Sequence, residues 1–432
     1  MRSHALLDEL QWRGLLYQHT EQVGAALTDG TVRGYVGFDP TASSLHIGNL
    51  LPIMLLVHLQ RHGHVPVALV GGGTGLIGDP SGRAAERVLA SHETIAENVR
   101  GIRAQLEHFL DFSGAGGARM IDNAEWLVPL NAIEFMRDVG KHFTVNYMLQ
   151  KDSVRARMDG GISYTEFSYM LLQAYDFLEL SRRHGVTLQM GGSDQWGNIT
   201  AGIELIRRTT GGEANAITAP LVTTADGRKF GKSEGGNVWL DPARTSPFKF
   251  HQFWLNVPDG EAPAYLRFYT LFSENEARSL VETLERAPEQ RELQRALADD
   301  VTRRVHGEGA LATAQEMAKL LFGGASPRDL SKAALEALAG EIPCASWDAS
   351  AVSGRPADVV DLLEAVTGPP VDLFKSKGDA RRLVQQGGVS INGERLGADR
   401  VPLTADTLLH GRYALIKKGA RSYALVTVSG VR

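Results

Sequence analysis

The feature that most constrains the fold is an alternation of short apolar runs with longer amphipathic segments over the first 225 residues. The runs TVRGYVGFDP (from residue 31) and VPVALVGG (from residue 65) have the length and apolar character of buried strands. Between them, LHIGNLLPIMLLVHLQRHG has the length of a crossover helix. A strand, a helix and a strand at this spacing predict a parallel sheet with right-handed connections.

The character of the sequence changes twice further along the chain. After about residue 240 helical patterns replace the alternation, and the block from about residue 358 ends in short strands. The stretch SWDASAVSGRPADVV is small, polar and without a period, which is typical of a linker. We therefore predict an α/β protein with a Rossmann-like parallel-sheet domain at 1–225, an α-helical domain at 226–335, a linker at 336–357 and a small α+β domain at 358–432.

Composition excludes several classes of protein. Hydrophobic residues make up 43% of the chain and charged residues 22%, the balance of a globular protein. No apolar run approaches the 18 residues of a membrane span, and the N-terminal residues are too acidic for a secretion signal. The single cysteine, Cys344, excludes an internal disulfide and a cysteine-rich zinc site. We expect a protein of the reducing cytoplasm, with no membrane partner and no tightly bound metal.

A glycine cluster follows the second predicted strand. Gly73, Gly75 and Gly78 match the G-x-G-x-x-G pattern of a dinucleotide-binding turn. Such a turn belongs after the first strand of its sheet, with an acidic residue at the end of the second strand, and neither condition is met here. Three interpretations remain, namely an NAD site, a purely structural turn, and a loop that brings a substrate close to the backbone and to Asp79.

Two further segments carry groups suited to phosphate. The first, YVGFDPTASSLHIGNL, places Gly37, Asp39, Thr41, His46, Gly48 and Asn49 at a strand–loop–helix junction. Free backbone N–H groups at a helix start attract phosphate, although a histidine there is often only a cap or a core residue. The second, DGRKFGKSEGG at 226–236, contains Lys229, Lys232 and Ser233. It is either plain solvated surface or an arm that carries positive charge to a polyphosphate.

Together these segments resemble the HIGH and KMSKS signatures of class I aminoacyl-tRNA synthetases. They stand here as His46-Ile47-Gly48-Asn49 and Lys229-Phe230-Gly231-Lys232-Ser233. Asn49 replaces the final histidine of the first signature, and Phe230 and Gly231 replace the methionine and first serine of the second. Asn49 can still donate a hydrogen bond and both lysines remain, so the variants keep the required chemistry.

A third set of residues suggests the amino acid. The segment YMLLQAYD places Tyr169, Gln173 and Asp176 on one helical stripe, which is either an ordinary polar face or the wall of a pocket. The stretch QMGGSDQWGN adds further polar groups, namely Gln189, Gly192, Asp194 and Gln195. With them the chain resembles the bacterial tyrosyl-tRNA synthetases from end to end.

That resemblance implies a reaction and a site. The reaction is the activation of L-tyrosine with ATP and Mg²⁺, followed by transfer of the tyrosine to its tRNA. The implied tyrosine-binding residues are Tyr35, Asp79, Tyr169, Gln173, Asp176, Gln189 and Gln195. The implied ATP-binding residues are Gly37, Asp39, Thr41, His46, Gly48, Asn49, Gly192, Asp194 and Lys232. The implied catalytic residues are Thr41, His46, Gly48, Asn49, Arg83, Arg87, Lys229, Lys232 and Ser233.

The last part of the chain is basic. From residue 371 onward 11 lysines and arginines face 5 acidic residues, whereas the preceding 370 residues carry 34 against 45. This excess is either ordinary surface or a nucleic-acid contact. The segment SKGDARRLVQQGGVSINGERL resembles a small RNA-binding module shared with a ribosomal protein, which implies tRNA contacts by Arg381, Arg382, Lys417 and Lys418. By the same resemblance the helical domain approaches the anticodon.

Several alternatives stay open from the sequence. Tryptophanyl-tRNA synthetases share much of the motif set, but Tyr35 with Asp176 and the basic module favour tyrosine. An NAD-dependent oxidoreductase would use the glycine cluster, and a non-catalytic RNA-binding protein would not need His46 and both lysines. The resembled family forms homodimers, and the apolar stretch at 130–149 is compatible with either a shared face or the core.

Overall fold

The computed structural model describes residues 4–79, 90–114, 116–155, 158, 161–223, 230–233, 236–397 and 401–431, with the backbone alone for residues 152, 153, 232 and 233. The chain divides into two compact units, Met1–His306 and Gly307–Arg432. The finer domain boundaries given above remain a prediction.

A six-stranded sheet forms the centre of the first unit. Its strands are β1 (Gln18–His19), β2 (Arg33–Phe38), β3 (Val65–Val70), β4 (Arg119–Asp122), β5 (Leu188–Gly192) and β6 (Asn215–Ala219). They lie in the order β1-β6-β5-β2-β3-β4, and all neighbours are parallel except β1 and β6. The predicted parallel sheet is therefore confirmed.

Helices cover this sheet and continue beyond it. Those of the α/β part are α1 (Ala5–Arg13), α2 (Val23–Asp29), α3 (Leu50–Arg61), α4 (His92–Leu106), α5 (Ala124–Leu127), α6 (Ala132–Asp138), α7 (Val145–Leu149), α8 (Asp152–Arg155), α9 (Tyr164–His184) and α10 (Trp196–Thr210). After a two-stranded hairpin, β7 (Lys232–Ser233) with β8 (Gly236–Asn237), come α11 (Pro247–Leu255), α12 (Ala262–Tyr269), α13 (Glu274–Arg286) and α14 (Glu292–His306). No described helix is both long and apolar enough to cross a membrane.

The consecutive elements α3 and β3 are both strongly apolar in sequence because both are buried. All six residues of β3 are buried, as expected for a parallel strand covered by helices on both faces. In α3 nine of the twelve residues are buried, so this crossover helix lies inside the unit rather than on its surface.

The glycine cluster forms a tight turn after β3. It leads into a single 3-10 turn, Thr74–Leu76, rather than into the long helix that a dinucleotide-binding turn requires. A Cβ atom on Gly75 would lie 2.8 Å from Pro40 Cγ, and one on Gly72 would lie 2.3 Å from Asp122 Oδ1. Close packing therefore requires these glycines, and Gly78 has a φ of +85°.

The second unit combines three helices with a five-stranded sheet. Its helices are α15 (Glu308–Gly323), α16 (Lys332–Leu338) and α17 (Lys377–Gln385), and its strands are β9 (Cys344–Asp348), β10 (Val389–Ile391), β11 (Glu394–Arg395), β12 (Tyr413–Lys418) and β13 (Ser422–Ser429). The strand order is β11-β10-β12-β13-β9.

Strand β9 lies within the segment predicted as a linker. It is an edge strand that pairs in parallel with β13, from Leu425 opposite Cys344 to Ser429 opposite Asp348. Its own residues are exposed or half-buried, so they show no apolar periodicity. The backbone pairing with β13 makes this segment a strand, and such pairing leaves no local signal in the sequence.

Candidate functional site

A cavity of about 470 Å³ opens at the carboxyl ends of the central strands. Strands β2 and β5 are neighbours there, while the chain continues from β2 to β3 on one side and from β5 to β6 on the other. Ligands of open α/β sheets bind at such a switch point. The cavity lining includes fourteen of the predicted site residues: Tyr35, Gly37, Asp39, His46, Gly48, Asn49, Asp79, Tyr169, Gln173, Asp176, Gln189, Gly192, Asp194 and Gln195.

The remaining predicted residues of this site are not in that lining. Thr41 follows β2 with an exposed side chain. Arg83, Arg87 and Lys229 lie outside the described residues, as do the side chains of Lys232 and Ser233. Their predicted roles therefore stay predictions.

One end of the cavity holds a buried hydroxyl beside a buried carboxyl group. Tyr35 on β2 and Asp176 on α9 are 1% and 2% exposed. Trp126 Nε1 donates to Asp176 Oδ1 at 2.7 Å, and Asn123 Nδ2 donates to Asp176 Oδ2 at 2.9 Å. Among the described residues, neither the Tyr35 hydroxyl nor Gln189 Oε1 has a hydrogen-bond partner. This end can therefore accommodate a ligand hydroxyl group.

Burial controls the ionisation of these groups. It raises the pKa of the Asp176 carboxyl group to about 8, against the opposing effect of the Asn123 and Trp126 hydrogen bonds. The charges of Asp39 and Asp122 raise it further. Burial and the neighbouring Asp176 also raise the pKa of Tyr35 well above its usual value, so its hydroxyl stays protonated.

A chain of amide groups fixes a second carboxylate in the middle of the cavity. Gln195 Nε2 donates to Asp79 Oδ2 at 2.8 Å. Gln173 Nε2 donates to Gln195 Oε1 at 3.1 Å, and Asn198 Nδ2 donates to Gln173 Oε1 at 3.0 Å. The Tyr169 hydroxyl donates to Asp39 Oδ2 at 3.0 Å. These bonds hold the stripe predicted on α9 against the strand ends, so it is the wall of a pocket.

The lining is strongly acidic. It contains four aspartates, Asp39, Asp79, Asp176 and Asp194, and no lysine or arginine among the described residues. A carboxylate in such a lining can pair with a cation such as an ammonium group.

The other end of the cavity is the turn that contains His46. His46 caps the 3-10 turn Ile47–Asn49: the Gly48 N–H donates to His46 Nδ1 at 3.0 Å, and the His46 N–H donates to Asn49 Oδ1 at 3.0 Å. Burial lowers the pKa of His46, so the ring is neutral at pH 7. Since Nδ1 accepts, Nε2 carries the proton and is a hydrogen-bond donor. A Cβ atom on Gly48 would lie 2.8 Å from His46 Cε1, so only glycine fits there.

The two signature segments meet in space. The Ile47 N–H donates to the Val238 carbonyl at 3.0 Å, and the Leu240 N–H donates to the Leu45 carbonyl at 2.8 Å. His46 and Trp239 form a β-bridge, and their rings pack edge to face. The chain that returns from the lysine hairpin is thus bonded directly to the His46 turn.

Sequence reasoning missed five polar residues around the cavity: Thr74, Asp122, Asn123, Trp126 and Asn198. Asn123 connects two parts of the site, since its Oδ1 accepts from the Gly73 N–H at 2.8 Å while its Nδ2 bonds Asp176. A signal was available in the DNAEW segment, because Asp122 is the last residue of strand β4 in the same parallel sheet. Asn198 is the last residue of the segment QMGGSDQWGN, and it lies on helix α10 rather than on the strand or the loop.

The predicted tRNA-binding residues lie on α17 and β12 of the second unit. Arg381 and Arg382 are exposed, and Arg382 pairs with Asp379 at 2.7 Å. Lys418 Nζ donates to the Leu373 carbonyl at 2.8 Å, and the Lys417 ammonium lies 5.2 Å from the centre of the Tyr423 ring.

Comparison with known proteins identifies the family. Residues 28–323 match the model of the tRNA synthetases class I (W and Y), and residues 341–426 match the tyrosine–tRNA ligase SYY-like C-terminal domain. The tyrosine–tRNA ligase of Anaeromyxobacter dehalogenans is 52% identical over 98% of this chain and 99% of its own. That of Roseiflexus castenholzii is 50% identical over the same shares.

A solved structure agrees with these relatives. The C-terminally truncated mitochondrial tyrosyl-tRNA synthetase of Aspergillus nidulans superimposes with a TM-score of 0.67 at 27% identity, over 74% of this chain and 95% of that one. Full-length identity to tyrosine–tRNA ligases decides against both the tryptophan enzyme and the oxidoreductase. The chain therefore belongs to the class I tRNA synthetases and, within them, to the bacterial tyrosyl-tRNA synthetases.

Proposed function

We propose that the cavity activates L-tyrosine with ATP and that the tyrosine then passes to the 3′ end of its tRNA. The observation that carries this proposal is the pair of buried groups at the closed end, the Tyr35 hydroxyl and the Asp176 carboxyl group. The phenol hydroxyl of tyrosine accepts from Tyr35 and donates to Asp176. Phenylalanine would leave the Tyr35 hydroxyl without a partner and would remove one donor from Asp176, and an unsatisfied buried group costs about 1–3 kcal/mol.

The amide chain in the middle of the cavity orients the rest of the amino acid. The ammonium group lies between Asp79, Tyr169 and Gln173, where the acidic lining favours a cation. Gln195 already donates to Asp79, and it lies beside the tyrosine carboxylate. Gln189 packs behind the pocket, almost fully buried. These contacts hold the carboxylate in one direction, toward the His46 turn.

The first chemical step is a displacement at phosphorus. A carboxylate oxygen of tyrosine attacks the α-phosphorus of ATP, the bond from that phosphorus to the bridging oxygen breaks, and pyrophosphate leaves with the electron pair. No protein base is needed because the carboxylate is ionised at pH 7. Catalysis then depends on positioning and on stabilising charge on the phosphates.

The residues near the His46 turn supply that stabilisation. His46 donates from Nε2 as a neutral ring, together with Thr41 and Asn49, and Gly48 has no side chain to obstruct the phosphate. Gly37, Asp39, Gly192 and Asp194 contact the nucleoside side of ATP. Positive charge comes from Arg83, Arg87, Lys229 and Lys232, with Ser233 beside them. Mg²⁺ enters with the ATP substrate, coordinated mainly by phosphate oxygens.

The second step transfers the amino acid. A ribose hydroxyl oxygen at the 3′ end of the tRNA attacks the tyrosyl carbonyl carbon, the bond from that carbon to the phosphate oxygen breaks, and AMP leaves and takes up the hydroxyl proton. The basic residues of the second unit, Arg381, Arg382, Lys417 and Lys418, contact tRNA phosphates. Charging a tRNA, together with the single cysteine of the chain, favours the cytoplasm as the place of action.

We also propose that two copies of the chain associate through an apolar surface that includes the stretch 130–149. Helix α6 contains no buried residue, and its apolar side chains Ile133 and Met136 are 70% and 51% exposed. Val145 and Tyr164 are also exposed. An apolar surface of this kind is typical of a protein interface. Sedimentation of the Ile133→Asp variant checks this, since a monomer is expected where the unmodified chain forms a dimer.

The experiment that tests the proposed function is exchange of labelled pyrophosphate into ATP, measured with each amino acid in turn. We expect exchange with tyrosine and very little with phenylalanine or tryptophan. Asp176→Ala should weaken the preference for tyrosine over phenylalanine. Equal exchange with tryptophan, or an unchanged preference in Asp176→Ala, would contradict the proposed pocket.

A further inference from the structure

Phe230, between the two signature lysines, is held by aromatic rings of the helical segment. Its side chain is 7% exposed. Four rings of α11 and α12 surround it: Tyr265 at 4.7 Å between centroids, Tyr269 at 5.4 Å, Trp254 at 5.8 Å and Phe253 at 5.9 Å. The Tyr269 ring lies nearly parallel to it, at 11°. An aromatic ring enclosed in this way is fixed by packing and by ring geometry.

The next residue is held from the opposite side. Gly231 has a φ of +95°, and a Cβ atom there would lie 3.0 Å from Ile47 Cγ1 and 3.4 Å from the Gly48 nitrogen. Its carbonyl accepts from the Val238 N–H at 3.0 Å, and the Val238 carbonyl accepts from the Ile47 N–H. The backbone after Phe230 therefore lies directly against the His46 turn.

These two contacts act on adjacent residues. The helices contact the side chain at 230 and the His46 turn contacts the backbone at 231, so the chain is held from two sides just before the β7–β8 hairpin. Phe230 itself lines the cavity. In the sequence, Lys229 precedes it directly and Lys232 follows it by two residues. A contact that fixes residue 230 therefore also limits the backbone positions available to both lysines.

We infer that Phe230 is a positioning residue for the adenylation step, acting through Lys229 and Lys232. The inference rests on the proposed function, in which these lysines stabilise the pyrophosphate. Charge stabilisation by a side chain falls steeply when its backbone moves, and a shift of about 1 Å can cost about a hundredfold in rate. The aromatic pocket of α11 and α12 sets that backbone position.

The first test separates ATP from tyrosine. Phe230→Ala should lower kcat/KM for ATP in pyrophosphate exchange by about ten- to a hundredfold. Tyrosine affinity, measured by equilibrium dialysis, should stay within about twofold, because the tyrosine contacts come from other elements. Phe230→Met, which keeps an apolar side chain of similar volume, should recover most of the loss. Unchanged ATP kinetics, or an equal loss of tyrosine affinity, overturns the inference.

A matched control separates positioning from stability. Phe250 is a fully buried aromatic residue of helix α11, one of the two helices that enclose Phe230. Its ring packs on Trp254 and His306 rather than on the lysine segment. Phe250→Leu should lower the Tm while leaving ATP kinetics at 25 °C unchanged. If Phe250→Leu and Phe230→Met lower ATP kinetics in proportion to their loss of Tm, Phe230 has only a structural role.

A double-mutant cycle tests the route through the lysine. If Phe230 acts by positioning Lys232, then Lys232→Ala should cost less in a Phe230→Ala background than in the unmodified chain. Full additivity overturns the inference while leaving the proposed function intact. Absence of tyrosine-dependent exchange in the unmodified chain would instead overturn the proposed function, and this inference with it.

Discussion

At the scale of single residues, burial and hydrogen bonding have opposite effects on the pKa of Asp176. Desolvation penalises its carboxylate, while Trp126 and Asn123 donate to both oxygens and favour it. The result is a pKa of about 8, so at pH 7 the carboxyl group of the free protein is mostly protonated. The ionised carboxylate is the stronger acceptor for a phenol hydroxyl, so we expect tyrosine binding to favour the carboxylate and to displace this proton.

This conflict predicts a pH dependence of tyrosine binding. Between pH 6 and pH 7 the dissociation constant should fall by about tenfold as pH rises, because Asp176 releases its proton on binding. The amino and carboxyl groups of tyrosine keep their charges over this range. Equilibrium dialysis at several pH values measures the slope, and Asp176→Asn should bind more weakly with no slope. A pH-independent constant in the unmodified chain would contradict the proposed pairing.

A second residue, His58, is buried without the partners that histidine usually has. Neither ring nitrogen is hydrogen-bonded to a described residue, and the Glu9 carboxylate is 3.9 Å away. Burial lowers the pKa of His58 to about 2, and the charges of Arg13, Arg61 and Arg304 contribute. The ring is therefore neutral in the folded protein at any pH where the protein works.

His58 should make the fold sensitive to acid. Its folded pKa is far below the unfolded value, so below about pH 6.5 the unfolded chain binds a proton that the folded chain does not. The free energy of unfolding should thus fall by about 1.4 kcal/mol per pH unit as pH drops below 6. Urea unfolding at pH 5, 6 and 7 measures this, with His58→Leu as the variant in which the contribution is absent. The same acid slope in both proteins would assign the effect to other groups.

At the scale of elements, Arg13 joins the first helix to the helical segment. Its guanidinium lies at the end of α1 and donates to the carbonyls of Arg267, Thr270 and Phe272, at 2.9, 2.9 and 2.7 Å. These carbonyls belong to the end of α12 and the residues after it, where a helix leaves carbonyls unpaired. Glu9 on α1 balances the charge, with an Nε–Oε1 distance of 2.8 Å.

Removing this arginine should destabilise the first unit strongly. Arg13→Met leaves three carbonyls and Glu9 without their partner, and we expect a loss of about 3–5 kcal/mol in the free energy of unfolding. The stability of Arg13→Lys should lie between that of the unmodified chain and that of Arg13→Met, because one ammonium group cannot donate to three carbonyls as the planar guanidinium does. Urea unfolding measures both. A loss below 1 kcal/mol in Arg13→Met would show that water replaces the guanidinium.

At the scale of the whole molecule, the two units divide the proposed activities. Every residue of the cavity lining belongs to the unit that ends at His306. The four predicted tRNA-binding residues belong to the other unit. Each unit has buried apolar residues of its own, with one cluster around Leu362, Phe374 and Ile416 in the second. Activation and tRNA capture are therefore separable in principle.

A truncation tests this division. A chain that ends at His306 should keep tyrosine-dependent pyrophosphate exchange, because it retains the cavity and the helices around it. Its rate of tRNA charging should fall by at least about tenfold, since the basic surface proposed to contact tRNA phosphates is missing. Exchange and charging are measured on the same preparation. Equal losses in both would contradict the division.

The sequence by itself determined the parallel sheet of the first unit, and its resemblance to a known family supplied the residues predicted for the site. Apolar runs fully buried between helices, as in β3, have a composition that only a parallel strand explains well. The sequence pattern predicted that Asp39 lies at a strand–loop–helix junction, whereas the ATP-binding roles of Asp39 and Gly192 were implied by the family resemblance. The stripe of Tyr169, Gln173 and Asp176 followed from helical periodicity, and both signatures were readable as short motifs.

Only the tertiary structure decided which distant groups meet. The bonds from Asn123 and Trp126 to Asp176 span 53 and 50 residues, and the aromatic pocket around Phe230 comes from helices further along the chain. Within the segment predicted as a linker, residues Cys344–Asp348 form strand β9 because their backbone pairs with strand β13. Sequence periodicity predicts on which face of its own helix or strand a side chain lies. Side-chain pairing across elements depends on packing, and packing is settled only when the whole chain has folded.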